Sequence, residues 1–317
     1  MDAQLPSVRD GIDYWTTQPA TLDGVLGGFG SCNLPRIDAL SSRQFLLSIL
    51  PELSIVPSSI RPLKAQRLTR RTRALDVGAG IGRVTSTVLL HMVSDVVLVE
   101  PVSHFVQQAF RSVSEASRRD KYAGEWKGVA RSRKSVTVVQ GTLQDLDPRV
   151  PLGSEGKMTV LGRVGYIPPE ERSKESGFDV IWCQWCLGHL TDDQLAEFLK
   201  RCKESLRCKS KGFSEMDGVI VVKENTCPEK QPGVPRIVFD SDDSTLTRSD
   251  LAWKRVFSSA GLRIVKEELQ KGFPEGLYPV KTLISFVSLA AILIPHLPYW
   301  WSSSALSVRT VLDNVSR

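Results

Sequence analysis

The first thirteen residues carry charge and have no apolar core, so no secretory signal is expected in them. Six cysteines, Cys32, Cys183, Cys186, Cys202, Cys208 and Cys227, lack the paired spacing of a zinc site, and no metal is expected. Cys183-Gln-Trp-Cys186 matches Cys-x-x-Cys only superficially, because it falls where a strand meets its loop; both thiols read as packing. Scattered free thiols point to a reduced compartment, with the cytoplasm expected first and the nucleus second. The balance of 41 basic to 35 acidic residues gives +6, concentrated in residues 61–73 and 117–134. Apart from Tyr122 and Trp126 these runs lack interleaved aromatics. They are expected to be solvated loops, with no nucleic acid required. No internal repeat is visible.

The densest signal lies at residues 75–83, Leu-Asp-Val-Gly-Ala-Gly-Ile-Gly-Arg. An apolar run ends at Val77, the glycines follow, and 84–90 begin a helix. Gly78, Gly80 and Gly82 carry no Cβ, so the backbone can turn tightly and lie against a ligand. The next apolar run, Val96-Val97-Leu98-Val99, closes on Glu100, where a carboxylate at a strand tip accepts hydrogen bonds from a ribose diol. The spacing Asp-x-Gly-x-Gly-x-Gly differs from the dinucleotide fingerprint Gly-x-Gly-x-x-Gly. With Asp76 at its head, the loop resembles the first motif of S-adenosylmethionine-dependent methyltransferases. An acidic loop suits a sulfonium and an amino group better than a pyrophosphate.

With 41% hydrophobic and 24% charged residues the chain has ample material for a core. Strands are predicted at 74–77, 96–100, 136–140, 179–182 and 218–223. Helices are predicted at 41–50, 83–92, 105–116, 192–206 and 249–260, and a final segment at 262–267. This alternation argues for right-handed βαβ units and a mostly parallel sheet, with ligands at the strand carboxyl ends. Residues 13–30, aromatic and glycine-rich, read as an N-terminal lid rather than a regular element. Ser41 and Ser42 are expected to cap the helix that follows. Stretches 121–134 and 151–177 are expected to be surface excursions. The run 282–301 is nearly uncharged and close in length to a membrane span. Pro295, His296 and Pro298 break it, and no basic flank fixes a topology. A last core strand near 280–287 with an apolar extension is expected, and membrane contact through 282–301 is the minor alternative. A methyltransferase-like domain is therefore placed at 1–280, its lid at about 13–50, and 281–317 is set apart as an extension.

Later loops carry the acceptor chemistry. After the fourth core strand comes Trp182-Cys183-Gln184-Trp185-Cys186-Leu187-Gly188-His189-Leu190-Thr191-Asp192. After the fifth come Lys223-Glu224-Asn225 and then Phe239-Asp240-Ser241-Asp242-Asp243-Ser244. A carboxylate cluster attracts a cationic acceptor, and a base can take its proton before methyl transfer. At these residues the chain closely resembles the eukaryotic protein N-terminal methyltransferases. That family modifies the α-amine of proteins that begin, after loss of Met, with X-Pro-Lys or X-Pro-Arg. The resemblance is carried by Tyr14-Trp15, 22–30, 75–83, Leu143-Gln144-Asp145, 180–206, 218–225, 239–248 and 259–262. Its most specific string is Gln-Trp-x-x-Gly-His-Leu-Thr-Asp.

The resemblance implies an α/β fold with the seven-stranded, mostly parallel Rossmann-like sheet of class I S-adenosylmethionine-dependent methyltransferases. It implies S-adenosylmethionine as cofactor, and N-terminal tails of X-Pro-Lys/Arg proteins, ribosomal proteins for example, as partners. Cofactor contacts are implied at Gly78, Arg83, Glu100, Leu143, Gln144 and Gln184, with Glu100 where the family has Asp. Substrate contacts are implied at Trp15, Leu26, Trp185, Asn225, Asp240 and Asp243. Trp185 would pack on the proline, Asn225 bond the first residue's backbone, and the two aspartates hold the cationic third side chain. His189 and Asp243 are implied as catalytic, deprotonating the amine. Plainer readings stand beside these: His189 capping the next helix, Trp185 in the core, and 240–243 as a solvated turn. The competing functions are methylation of a small-molecule amine and a non-catalytic basic RNA- or ribosome-binding role. The turn at 30–34 and the stretch 229–235 depart from the family pattern, which bears on lid geometry and peptide preference.

Overall fold

The computed structural model describes residues 4–54, 68, 70–119, 125–153, 157–168, 177–208 and 217–286. Among these residues ten strands are present: β1 (Arg73–Val77), β2 (Asp95–Glu100), β3 (Ser135–Gln140), β4 (Thr159–Gly165), β5 (Val180–Gln184), β6 (Val219–Cys227), β7 (Ile237–Asp240), β8 (Thr245–Ser249), β9 (Ile264–Leu269) and β10 (Val280–Phe286). The α-helices are α1 (Val8–Thr17), α2 (Leu34–Ile49), α3 (Arg83–Thr87), α4 (Ser103–Arg118), α5 (Asp192–Ser205) and α6 (Asp250–Ser259). The strands β1, β2, β3, β5 and β6 are near-continuous apolar runs, as strands covered on both faces must be. Their alternation sorts the side chains: Ala74, Val96, Leu98, Trp182 and Val221 pack on one face, and Leu75, Val97, Val99, Cys183 and Val222 on the other.

The sheet runs β4-β3-β2-β1-β5-β6-β10-β9. From β3 to β6 all neighbours are parallel. At the edges β4 is antiparallel to β3, and β10 lies between β6 and β9, antiparallel to both. The chain leaves β1 toward β2 on one side, while β5 joins on the other. That reversal opens a crevice at the carboxyl ends of β1 and β5.

Seven of the ten strands form the expected sheet, and the other three lie in stretches expected to be loops. Residues 151–177 contain β4, a half-exposed edge strand whose sequence Thr-Val-Leu-Gly-Arg-Val-Gly is interrupted by glycine and gives no clean alternation. Residues 154–156 and 169–176 of that stretch lie outside the described residues. The polar stretch after β6 forms the β7–β8 hairpin, joined to the end of β6 through β8. Within 121–134, Trp126 and Val129 are buried rather than solvated, and residues 121–124 lie outside the described part. The Trp126 ring packs against Gly82, where a Cβ would come within 2.6 Å of it.

The N-terminal stretch is more regular than expected. It forms α1, and α2 begins at Leu34, with Pro35 in its first turn. Ser41 and Ser42 therefore sit mid-helix instead of capping it. Of the basic run 61–73, residues 61–67 and 69 lie outside the described part, but Arg70 and Arg71 are not solvated. Arg70 pairs with buried Asp179, and Arg71 Nε donates to Asp95 at 2.7 Å. At the other end, the strand expected near 280–287 is β10, so the sheet extends past residue 280. Residues 287–301 of the apolar run lie outside the described part. Among the described residues no helix is long and apolar enough to cross a membrane.

Candidate active site

The β1–α3 turn carries Gly78, Gly80 and Gly82, all with positive φ (61°, 55° and 81°). At Gly78 the need for glycine is also steric, because a Cβ would lie 2.3 Å from the Cβ of Cys186 on the β5 loop. The Gly80 N–H donates to Glu100 Oε2 at 2.8 Å, and the Val102 N–H to Oε1 at 2.9 Å. Asp76 is buried and accepts from Thr85 Oγ1 at 2.5 Å, so it braces α3 against β1. Gly78, Arg83, Glu100, Leu143, Gln144 and Gln184 all line one cavity at the switch point.

Behind this wall lies a polar cluster that sequence reasoning missed. Alternation in β5 and β6 puts Gln184 and Lys223 side by side on the face covered by α2. Asp38, one turn before Ser42 on the buried stripe of α2, meets them. It accepts from Arg83 Nη1 at 2.5 Å, from Gln184 Nε2 at 3.0 Å, and is 2.6 Å from Lys223 Nζ. Lys223 Nζ also donates to Gln270 Oε1 at 2.7 Å and to Ser42 Oγ at 3.1 Å. Burial raises the Asp38 carboxyl, but Arg83 and Lys223 outweigh it and hold it below the ordinary carboxylate value. Burial likewise pushes Lys223 down, against the pull of Asp38. The available signal was the pair Lys223-Glu224 directly after the apolar run Val219–Val222, since charges inside a strand are buried only when partnered.

A second cavity lies beyond the first. Trp15, Val25, Trp185 and His189 face both. Leu26, Asn225 and Asp243 line the second alone, while Asp240 lines neither and stands exposed at the end of β7. Trp185 holds a left-handed backbone (φ 55°), a conformation non-glycine residues adopt only when their surroundings impose it. Glu224 imposes it by accepting the N–H groups of Cys186 and Leu187 at 2.9 and 3.0 Å. The Trp185 indole Nε1 is buried with no hydrogen-bond partner among the described residues. A buried indole donor ordinarily finds a partner, so Trp185 is wall rather than ordinary core.

His189 ends the short 3-10 turn Leu187–His189, and the next helix is capped by the Thr191–Gln194 capping box instead. Arg248 fixes this turn by donating to the Leu187 and Leu190 carbonyls at 3.3 and 2.6 Å, with Asp192 as its ion partner. The His189 Nε2 accepts from Trp15 Nε1 at 3.3 Å. The close approach of α1 is possible because residue 11 is glycine, where a Cβ would meet the imidazole at 2.8 Å. Burial lowers the His189 pKa, against the field of Asp243. Burial raises Asp243, which Thr245 and His189 pull back. Tyr14, raised by burial, also feels Asp243, Asp240 and Asp242, so the end of α1 faces the acidic hairpin.

Burial pushes Glu100 and Glu224 up to about 7 from 4.5, and Asp76 up to about 6 from 3.8. Between the ordinary and raised values the folded protein binds more protons than the unfolded chain. Its unfolding free energy must therefore fall as pH rises through that window and level off above about 7. The depressed His189 works the other way, one group against four raised carboxylates, Asp243 included. Urea denaturation without ligand at pH 5.5, 6.5 and 8 should show this decline, and a steady rise would contradict it.

A parallel sheet that reverses between β1 and β5, with a glycine turn beside an acidic strand tip, defines a class I S-adenosylmethionine-dependent methyltransferase. The chain belongs to the family of AdoMet-dependent proline di-methyltransferases, whose model matches residues 4–148 and 152–284. It is 34% identical over 287 residues to the alpha N-terminal protein methyltransferase 1 of Schizosaccharomyces pombe, covering 90% of this chain and 95% of that one. It is 32% identical over 267 residues to the N-terminal Xaa-Pro-Lys N-methyltransferase 1 of Homo sapiens, covering 84% and 89%. A solved S-adenosylmethionine-dependent methyltransferase from Leishmania major matches with a TM-score of 0.59 at 29% identity, covering 87% of this chain and 82% of that one.

Proposed function

We propose that this protein transfers methyl groups from S-adenosylmethionine to the α-amine of proteins that begin X-Pro-Lys or X-Pro-Arg. The supporting observation is the wall formed by Trp15, Val25, Trp185 and His189, which faces both cavities. A cofactor in the first cavity and a peptide start in the second would meet there. The cofactor supplies the electrophilic methyl group. Glu100 offers carboxylate lone pairs to a ribose diol, and Arg83 faces the cavity as the cation for the methionyl carboxylate. Trp185 offers a flat face to the substrate proline, and Asn225 an amide to the first residue's backbone.

An α-amine titrates near roughly 7.7–8.0, so a weak base suffices to free its lone pair. Asp243 and His189 are the groups at hand. Asp240 and Asp243 draw the third-position cation, Asp240 from the exposed rim. N-terminal tails of X-Pro-Lys/Arg proteins, ribosomal proteins for example, are the proposed partners, in the cytoplasm first and the nucleus second, with no nucleic acid required and membrane contact through 282–301 the minor alternative.

Mass spectrometry of a Ser-Pro-Lys peptide incubated with protein and cofactor tests the reading. Methylation of small amines in place of the peptide would favour the metabolite reading instead. Asp240→Asn should raise KM for this peptide about two- to fivefold, the worth of an exposed ion pair, and weaken the preference for Lys over Gln at position three. A variant that keeps its full Lys preference would remove Asp240 as reader.

A further inference from the structure

Asp38 stands between two cations of different standing. Arg83 lines the first cavity, and its guanidinium lies 5.3 Å from the Trp185 ring. Lys223 does not line that cavity. It is 1% exposed, shut in by Ser42, Gln270 and the ring of Phe273, with Glu268 the other carboxylate whose field reaches it. Arg83 and Asp38 alone would form a neutral buried pair with little attraction left for a further anion. With Lys223 the triad carries one net positive charge, and only Arg83 presents it to the cavity. The Asp38 carboxylate is divided between Arg83, Lys223 and the Gln184 amide.

We infer that Lys223 is a positioning residue for the cofactor: by engaging Asp38 from behind, it leaves the Arg83–Asp38 pair with a net positive charge toward the amino-acid carboxylate of S-adenosylmethionine. This rests on the reading of Arg83 as the group that faces that carboxylate. Lysine midway along β6 thus acts across Asp38 on a ligand it does not touch. The inference separates charge from scaffolding, because restoring the net charge by another route should restore binding.

Calorimetry on the full chain tests it with two probes, S-adenosylmethionine and 5′-methylthioadenosine, which lacks the amino-acid end. Lys223→Met should weaken S-adenosylmethionine about tenfold, the equivalent of about 1.4 kcal/mol, and leave methylthioadenosine within about twofold. The double variant Asp38→Asn with Lys223→Met removes both charges, returns the net charge to that of Arg83 alone, and should recover most of the affinity. Equal weakening of both probes, unchanged S-adenosylmethionine binding in Lys223→Met, or a double variant no better than the single would each overturn the inference. Should Lys223→Met fail to fold, the double variant is compared directly with the parent, because a buried pair is better removed whole than halved. A raised ratio of the two dissociation constants in that double variant would then overturn the inference. A parent protein that binds S-adenosylmethionine no better than methylthioadenosine would overturn the Arg83 reading itself, and is distinguishable on that ground.

Discussion

Asp243→Asn is expected to lower kcat by about a hundredfold or more while leaving the affinity for S-adenosylmethionine within about twofold. Asp243 lines the second cavity only, so cofactor binding should not sense the change. Its carboxylate accepts from Thr245 Oγ1 at 2.5 Å and keeps further lone pairs for an incoming amine. His189 is placed differently, since its Nε2 lone pair is taken by the Trp15 indole. It can accept a proton only after that bond gives way, so His189→Asn should cost less, about tenfold in kcat. If the two share one proton, the double variant will be less impaired than the product of the singles. Steady-state kinetics on a Ser-Pro-Lys peptide decides the matter. Parental kcat at neutral pH in both variants would leave orientation alone as the source of rate.

Gly78→Ala should be the most damaging single methyl that can be added to the turn. The new Cβ would sit 2.3 Å from that of Cys186, in a backbone with φ of 61°. Left-handed strain and overpacking together cost about 2–5 kcal/mol. For a domain of this size that lowers Tm by roughly 5–15 °C, with cofactor binding lost as the turn shifts. Gly80→Ala is the control, because its Cβ would find nothing closer than Val25 Cγ1 at 3.6 Å, although φ is 55°. Only the strain of about 1–2 kcal/mol should remain there. Thermal melts of the two variants, with and without S-adenosylmethionine, check the contrast. Equal losses would mean that contact with Cys186 is not what requires glycine at 78.

The cofactor half of the site was legible because its signals are local. A glycine turn after one apolar run and a carboxylate closing the next are a few residues apart in sequence, and the sheet register does the rest. Asn225 and Asp243 were reached through the family resemblance, since Asn225 lies within β6 and Asp243 in the turn between β7 and β8. Asp38 could not be found this way. Its importance depends on Lys223 and Gln184, both more than a hundred residues away, and a lone aspartate on an amphipathic helix looks solvated. Likewise β4 and the β7–β8 hairpin are held by edge pairing and not by an alternating apolar face, so composition alone reads them as loops. Helix α1, which contains Gly11, escaped because Tyr14 and Trp15 lead into the glycine-rich stretch 24–30 and read with it as lid. That glycine serves close packing on His189.

The position of β10 has a consequence for how the protein is made. This strand is the last element of the described chain, yet it lies inside the sheet, bonded to β6 on one side and β9 on the other. While the ribosome is still extending the chain, β6 has no neighbour on that flank, and the apolar stretch Val219–Val222 is left with an open edge. Pairing between strands so distant in sequence is slow to establish, and an unpaired apolar edge is prone to join another chain. Completion of the sheet must therefore wait until residues near 286 have cleared the exit tunnel.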